Sequence, residues 1–103
     1  MDRLVHEPAR LVILTALASC ASADFVFLQR LTRLTNGNLS AHLSKLSDAG
    51  LVAIQKRFVD KKPNTRVAIT ARGRHAVEEH WSRLEQLREG ARGLTPQTGK
   101  PRR

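Results

Sequence analysis

The stretch Leu34-Thr35-Asn36-Gly37-Asn38-Leu39-Ser40-Ala41-His42-Leu43, which runs on through Ser44, Lys45 and Leu46 to Ala49 and Gly50, decides how the whole chain is read. Thr35 is a helix-capping type, Leu39, Leu43 and Leu46 stand at i, i+4 and i+7, and Gly50 is a natural helix stop. The spacing predicts a helix from the Thr35 cap to about Ala49, with a single apolar stripe. Its opposite face carries Gly37, Asn38, Ala41, Ser44 and Lys45, with Ser40 and His42 on the flanks. Such a face has short, polar side chains and can approach another surface closely. A capping box would place Glu or Gln at position 38; Asn38 stands there, so the first turn is free of carboxylates.

Upstream, Asp24 is an N-cap for a short helix in which Phe25, Leu28 and Leu31 repeat at helical spacing, and Thr32, Arg33 and Leu34 turn the chain toward Thr35. The small residues 19–23 read as a break. Ahead of them, Pro8 opens a helix at a position where its missing N–H costs nothing. Residues 11–18 are apolar around most of the circumference, so this helix is expected to be central or shared with a second copy. Downstream, Val52, Ile54 and Phe58 alternate with Ala53, Gln55 and Arg57; after a turn expected at Asp60, Lys61, Lys62, Pro63 and Asn64, the period of two resumes at Thr65, Val67 and Ile69. Thr70 caps a long helix whose Ala76, Val77, His80, Trp81, Leu84 and Leu87 form a broad stripe to about Gly90. The expected fold is mainly α with a small antiparallel β-hairpin, an α+β chain in the order α-α-α-β-β-α. Residues 1–91 are expected to form one domain. Residues 92–103, where Lys100, Arg102 and Arg103 mix with Gly93, Pro96, Gly99 and Pro101, read as a disordered basic tail.

The chain of 103 residues carries 18 Lys and Arg against nine Asp and Glu, a net charge of +9. One core is all this length can hold, and a polyanionic partner is implied. Residues 25–74 hold ten Lys and Arg against two Asp, a net of +8, whereas residues 75–91 come to −2, two Arg against four Glu. The longest apolar run, residues 11–23, is broken by Thr15, Ser19 and Ser22 and is too short to span a membrane. Asp2, Glu7 and Pro8 precede it where a secretory leader would be basic, and Cys20 has no second cysteine to pair with, so a cytoplasmic protein without a membrane partner is expected. Cys20 reads as a small packing residue. His75, Glu79 and His80 lack metal-ligand spacing, and no nucleophile with its base, phosphate loop or carboxylate cluster is visible, so no metal, cofactor or enzymatic activity is expected.

Helix, helix, turn, helix, basic hairpin, long helix is the order of a winged helix-turn-helix. A second helix braces a third whose short outward side chains let its N-terminal half enter a groove about 12 Å wide. The residues expected to face DNA from that helix are Thr35, Asn36, Gly37, Asn38, Ser40, Ala41, His42, Ser44 and Lys45, with glycine at 37 allowing close backbone approach to phosphate. Lys56, Arg57, Lys61, Lys62, Asn64 and Arg66 of the hairpin are expected on neighbouring phosphates or in the minor groove. The run from Leu34 to Leu43, with the Ala49-Gly50-Leu51-Val52 and Thr70-x-x-Gly73-Arg74 junctions, resembles compact MarR/ArsR-like winged-helix transcriptional regulators over most of the chain. The resemblance implies a homodimer on a pseudo-palindromic operator, with the third helix in the major groove and terminal helices forming the dimer. Leu11, Leu14, Val77, Trp81, Leu84 and Leu87 are the residues expected at that seam. The extra terminal helices of longer MarR relatives and the Cys/His metal box of many ArsR relatives are not expected, and no residue calls for a small-molecule effector. The alternatives are an RNA-binding winged helix, for which Phe58 is the one aromatic near the wing, and a protein-interaction module of the same fold.

Overall fold

A computed structural model describes residues 7–94 as four helices and a three-stranded antiparallel sheet. The elements are α1 (Pro8–Cys20), β1 (Ser22–Asp24), α2 (Phe25–Thr32), α3 (Asn36–Asp48), β2 (Val52–Val59), β3 (Lys62–Ile69) and α4 (Ala71–Leu94). Among the described residues no helix is long and apolar enough to cross a membrane.

The helix ends follow from local chemistry. The Glu7 carboxylate accepts from the Ala9 N–H at 2.9 Å, with Pro8 at the first helical position. The Asp24 carboxylate accepts from Phe27 N–H at 2.8 Å, and the Thr35 hydroxyl from Asn38 N–H at 3.1 Å. At the other end of α3, Gly50 takes φ +78, its N–H reaches Ser47 O and the Leu51 N–H reaches Leu46 O, both at 2.9 Å. Those two bonds are the Schellman pair, and the accompanying apolar contact is supplied by Leu46 and Leu51, both buried.

Ile13, Leu14 and Leu17 of α1 are fully buried and meet Leu28, Leu39, Leu43, Leu46, Val67 and Val77 in one core, so α1 is central. Two junctions lock α4 onto the end of α3. The Thr70 hydroxyl donates to Gly50 O at 2.7 Å and accepts from Gly73 N–H at 3.0 Å, while Thr70 N–H donates to Leu51 O at 3.1 Å. A Cβ on Gly73 would stand 2.0 Å from Leu51 O, so only glycine lets the helix approach this closely.

Three expectations need correction. The break at residues 19–23 contains a strand: Ser22, Ala23 and Asp24 pair with Ala68, Val67 and Arg66, giving sheet order β1-β3-β2. These residues have little strand propensity, and the open edge of β3 recruits them. The hairpin turn is also tighter than expected. Val59 pairs with Lys62 across Asp60 and Lys61, whose φ values of 51 and 67 are those of a type I′ turn, so Lys62, Pro63 and Asn64 are strand residues. Pro63 is tolerated opposite Phe58 because that pair is not hydrogen-bonded, and its N points to an edge that β1 does not reach. Finally, α4 runs through Leu94, so residues 92–94 of the expected tail are helical; the rest of that tail lies outside the described residues.

Candidate nucleic-acid interface

The α3 stripe of Leu39, Leu43 and Leu46 is buried, which turns Asn36, Gly37, Asn38, Ser40, Ala41, Ser44 and Lys45 outward. Thr35 is exposed but its hydroxyl is spent as the cap, and His42 is half-buried on the flank. A Cβ at Gly37 would meet nothing within 4 Å, so the chain itself does not require glycine there. The helix is braced from α2: Gln29 donates to Leu34 O at 3.4 Å and, by a short bond, to the Asn36 side-chain oxygen. Asn36 thus helps to hold the turn, leaving its amide N–H₂ outward. Gln29 had no signal in the sequence pattern, because its partner lies seven residues away across the turn.

Register divides the hairpin into two faces. Val52, Ile54, Lys56 and Phe58 stand opposite Ile69, Val67, Thr65 and Pro63 on the core side; Ala53, Gln55, Arg57 and Val59 stand opposite Ala68, Arg66, Asn64 and Lys62 on the outer side. Lys56 and Thr65 therefore face α3, and with Ser40, Ser44, Asn36 and Ile54 they line a crevice of about 370 Å³. Arg57, Lys62 and Arg66 form a cationic row on the outer face, where Arg57 Nε donates to Asn64 Oδ1 at 3.2 Å. Asn64 is a partner that aims Arg57.

Ion pairing separates this surface from the rest. Among the described residues the ion pairs lie on α4: Arg83–Glu79, Arg88–Glu85 and Arg92–Glu89, with the His75 imidazole 3.7 Å from the Glu79 carboxylate. Lys45, Lys56, Arg57, Lys61, Lys62 and Arg66 stand in none of them. Arg74, counted with the basic segment, is used otherwise: its Nη1 donates to Ala18 O at 2.8 Å and closes the C-terminal end of α1.

The residues expected at a dimer seam fall into two sets. Leu14 and Val77 are buried in the chain's own core and cannot touch a partner. Leu11 and Leu84 are half-buried, Trp81 is 46% and Leu87 62% exposed. Trp81 is therefore not a core residue; its indole N–H donates to Thr15 Oγ1 at 3.0 Å. His80 is buried on that face of α4, next to Val77 in the stripe. Cys20 is exposed rather than packed. Among the described residues no three His, Cys, Asp or Glu side chains group as a metal would require.

A family model described as a winged helix DNA-binding domain matches residues 9–88. The chain belongs to the winged-helix DNA-binding domain family. An uncharacterised protein of Methanocaldococcus jannaschii is 31% identical over 85 residues, which cover 82% of this chain and 92% of that protein. The solved structure of a transcriptional regulator homologue from Pyrococcus horikoshii superposes on this winged helix with a TM-score of 0.81 at 32% identity, covering 86% of this chain and 88% of that one. A PadR family transcriptional regulator from Eggerthella lenta shares the fold at a TM-score of 0.62 and 19% identity, with 88% of each chain covered. The winged helix is accordingly a DNA-binding protein of the transcriptional-regulator type, with α2–α3 as its helix-turn-helix and the β2–β3 hairpin as its wing.

Proposed function

We propose that this winged helix regulates transcription as a homodimer that binds a pseudo-palindromic duplex site sequence-specifically, occluding or organising a promoter. The observation that carries the reading is the coincidence, around one crevice, of a small polar α3 face and wing cations held in no ion pair among the described residues. In this reading α3 enters the major groove, with Asn38, Ser40, Ala41, Ser44 and Lys45 at base edges or nearby phosphates. Lys56, Arg57, Lys61, Lys62 and Arg66 neutralise flanking backbone and supply affinity without sequence preference.

The dimer is argued from surface left uncovered. Val12, Leu31, Trp81 and Leu87 expose apolar area on α1, α2 and α4, and 24 residues make α4 about 36 Å long, far more than the core needs. Leu11, Trp81, Leu84 and Leu87 form the proposed seam.

Selection of bound duplexes from a random DNA pool, with the solution mass measured alongside, tests both parts. An enriched inverted repeat with a dimer mass supports the reading. Enrichment of a single half-site by a monomer removes the dimer, and preferential retention of structured RNA over duplex DNA removes the DNA reading itself. In the same assay Trp81→Ala should raise the dimer dissociation constant about thirtyfold, the cost of truncating an interface aromatic worth about 2 kcal/mol.

A further inference from the structure

Phe58 is the most exposed large apolar side chain among the described residues, at 75%, and its neighbour Val59 is 44% exposed. Both stand beside the two-residue wing tip. Phe58 lies directly opposite Pro63 in a non-hydrogen-bonded pair, the kind in which cross-strand side chains come closest. Ring and pyrrolidine thus share the face of the hairpin that looks toward α3. The tip is stiff: its type I′ turn matches the strand twist, and the next rung is braced on the other face by the Arg57–Asn64 hydrogen bond. Lys56, Arg57, Lys61 and Lys62 surround it, none of them in an ion pair among the described residues.

An apolar wedge ringed by cations matches a polyanion that has an apolar interior, namely bases stacked between phosphate strands. The spacing along β2 fits as well. Ile54 lies in the crevice beside Leu43 of α3; Lys56 is about 7 Å further along the strand and Phe58 about 13 Å. From the middle of the major groove to the middle of the minor groove is half of about 12 Å plus half of about 6 Å, plus the backbone between them. With α3 in the major groove, Lys56 meets the intervening phosphates and Phe58 meets the minor groove.

We propose that Phe58, backed by Pro63, is a minor-groove wedge that enters the base stack beside the site read by α3 and kinks the duplex there. The proposal rests on the DNA-binding reading above. Insertion would favour easily unstacked pyrimidine–purine steps, giving sequence preference at a position no polar group reads.

The test uses the full chain and short end-labelled duplexes that the wild type recovers from a random pool. Fluorescence energy transfer between the duplex ends reports bending for wild type, Phe58→Ala, Phe58→Leu and Lys61→Ala. Wild type should bend the duplex by at least about 20°. Phe58→Ala should abolish the bend and bind about tenfold more weakly, because no ring is left to stack on a base. Phe58→Leu should keep the bend, and Lys61→Ala should weaken binding while leaving the bend unchanged. Wild-type sites should carry a pyrimidine–purine step at a fixed offset that Phe58→Ala selections lack. Straight duplexes with wild type, or an unchanged bend with Phe58→Ala, would overturn the wedge and leave the DNA reading standing. Failure of the wild type to recover any duplex would overturn both. Tighter binding of structured RNA that is abolished in Phe58→Ala would make Phe58 a base-stacking platform and overturn the wedge. The side chain lies outside the core, so circular dichroism of Phe58→Ala should match wild type.

Discussion

The α3–wing surface and helix α4 are both rich in charge, yet they use it in opposite ways. On α4, Glu79, Glu85 and Glu89 each sit three or four residues from a cation and form ion pairs with it, so the helix neutralises itself along its own exposed side. Such pairs contribute only about 0.3–0.5 kcal/mol each, and the surface they leave is nearly neutral. On the wing, Lys56, Arg57, Lys61, Lys62 and Arg66 pair with no carboxylate among the described residues, and β geometry spreads them over two faces. Their fields add instead of cancelling, which is what attraction to a polyanion requires. Net charge by segment points in the right direction, but it counts Arg74 with the wing, although Arg74 closes the end of α1. Pairing distinguishes available charge from spent charge.

The largest effect that could break this contrast is ionic. If roughly six to ten phosphates are neutralised per dimer, affinity should fall about 10³–10⁵-fold between about 50 and 200 mM salt. Replacing Lys61, Lys62 and Arg66 by Ala should flatten the plot of log affinity against log salt by nearly one unit for each phosphate no longer neutralised. Replacing Arg83 and Arg88 by Ala should leave that slope unchanged in the same anisotropy titration. Equal slopes for the two variants would end the distinction drawn between wing and α4.

The junction between the two regions gives the next effect. Gly73→Ala places a Cβ 2.0 Å from Leu51 O and must push α4 away from the end of α3. The cost should be about 1–3 kcal/mol, lowering Tm by at least about 4 °C despite the better helix propensity of alanine. An unchanged Tm in a thermal melt would mean that the two regions are not coupled through this contact.

Within the wing, the Asn64–Arg57 bond sharpens the contrast at a finer scale. Asn64→Ala and Arg57→Ala should each weaken DNA binding, the former by about 0.5–1.5 kcal/mol. The double variant should be no weaker than Arg57→Ala alone, because Asn64 acts through Arg57. Additive effects would give Asn64 a contact of its own. The smallest effect lies at Ala21, which holds φ +72 at the end of α1 with a carbonyl that accepts from Ile69 N–H. Ala21→Gly relieves strain of about 1–3 kcal/mol at some entropic cost, so Tm should rise by a few degrees. A fall would show that the position is not strained.

Much of this molecule is readable from short-range chemistry. The caps at Asp24, Thr35 and Thr70, the stop at Gly50 and the stripe of Leu39, Leu43 and Leu46 depend on neighbours within about one helical turn, so spacing alone exposes them. The outward face of α3 follows from that stripe, and with it most of the proposed DNA contacts. What stays hidden involves partners distant along the chain. Arg74 finds Ala18 across 56 residues, and Trp81 finds Thr15 across 66. No local pattern marks either pair.

Leu14 and Val77 repeat with the same period as Leu11, Trp81 and Leu87, yet the former are core and the latter are partly or largely exposed. Periodicity assigns a residue to a stripe, and packing sets how far across the stripe burial extends. Ser22–Asp24 becomes a strand only because β3 offers it an edge, and the wing's turn closes at Asp60–Lys61 because the ladder carries Lys62, Pro63 and Asn64 with it. Helices, caps and the small-faced third helix are thus settled by contacts a few residues long. The sheet's third strand, the two faces of the wing and the split between buried and exposed apolar residues are settled by pairing and packing between segments far apart in the chain.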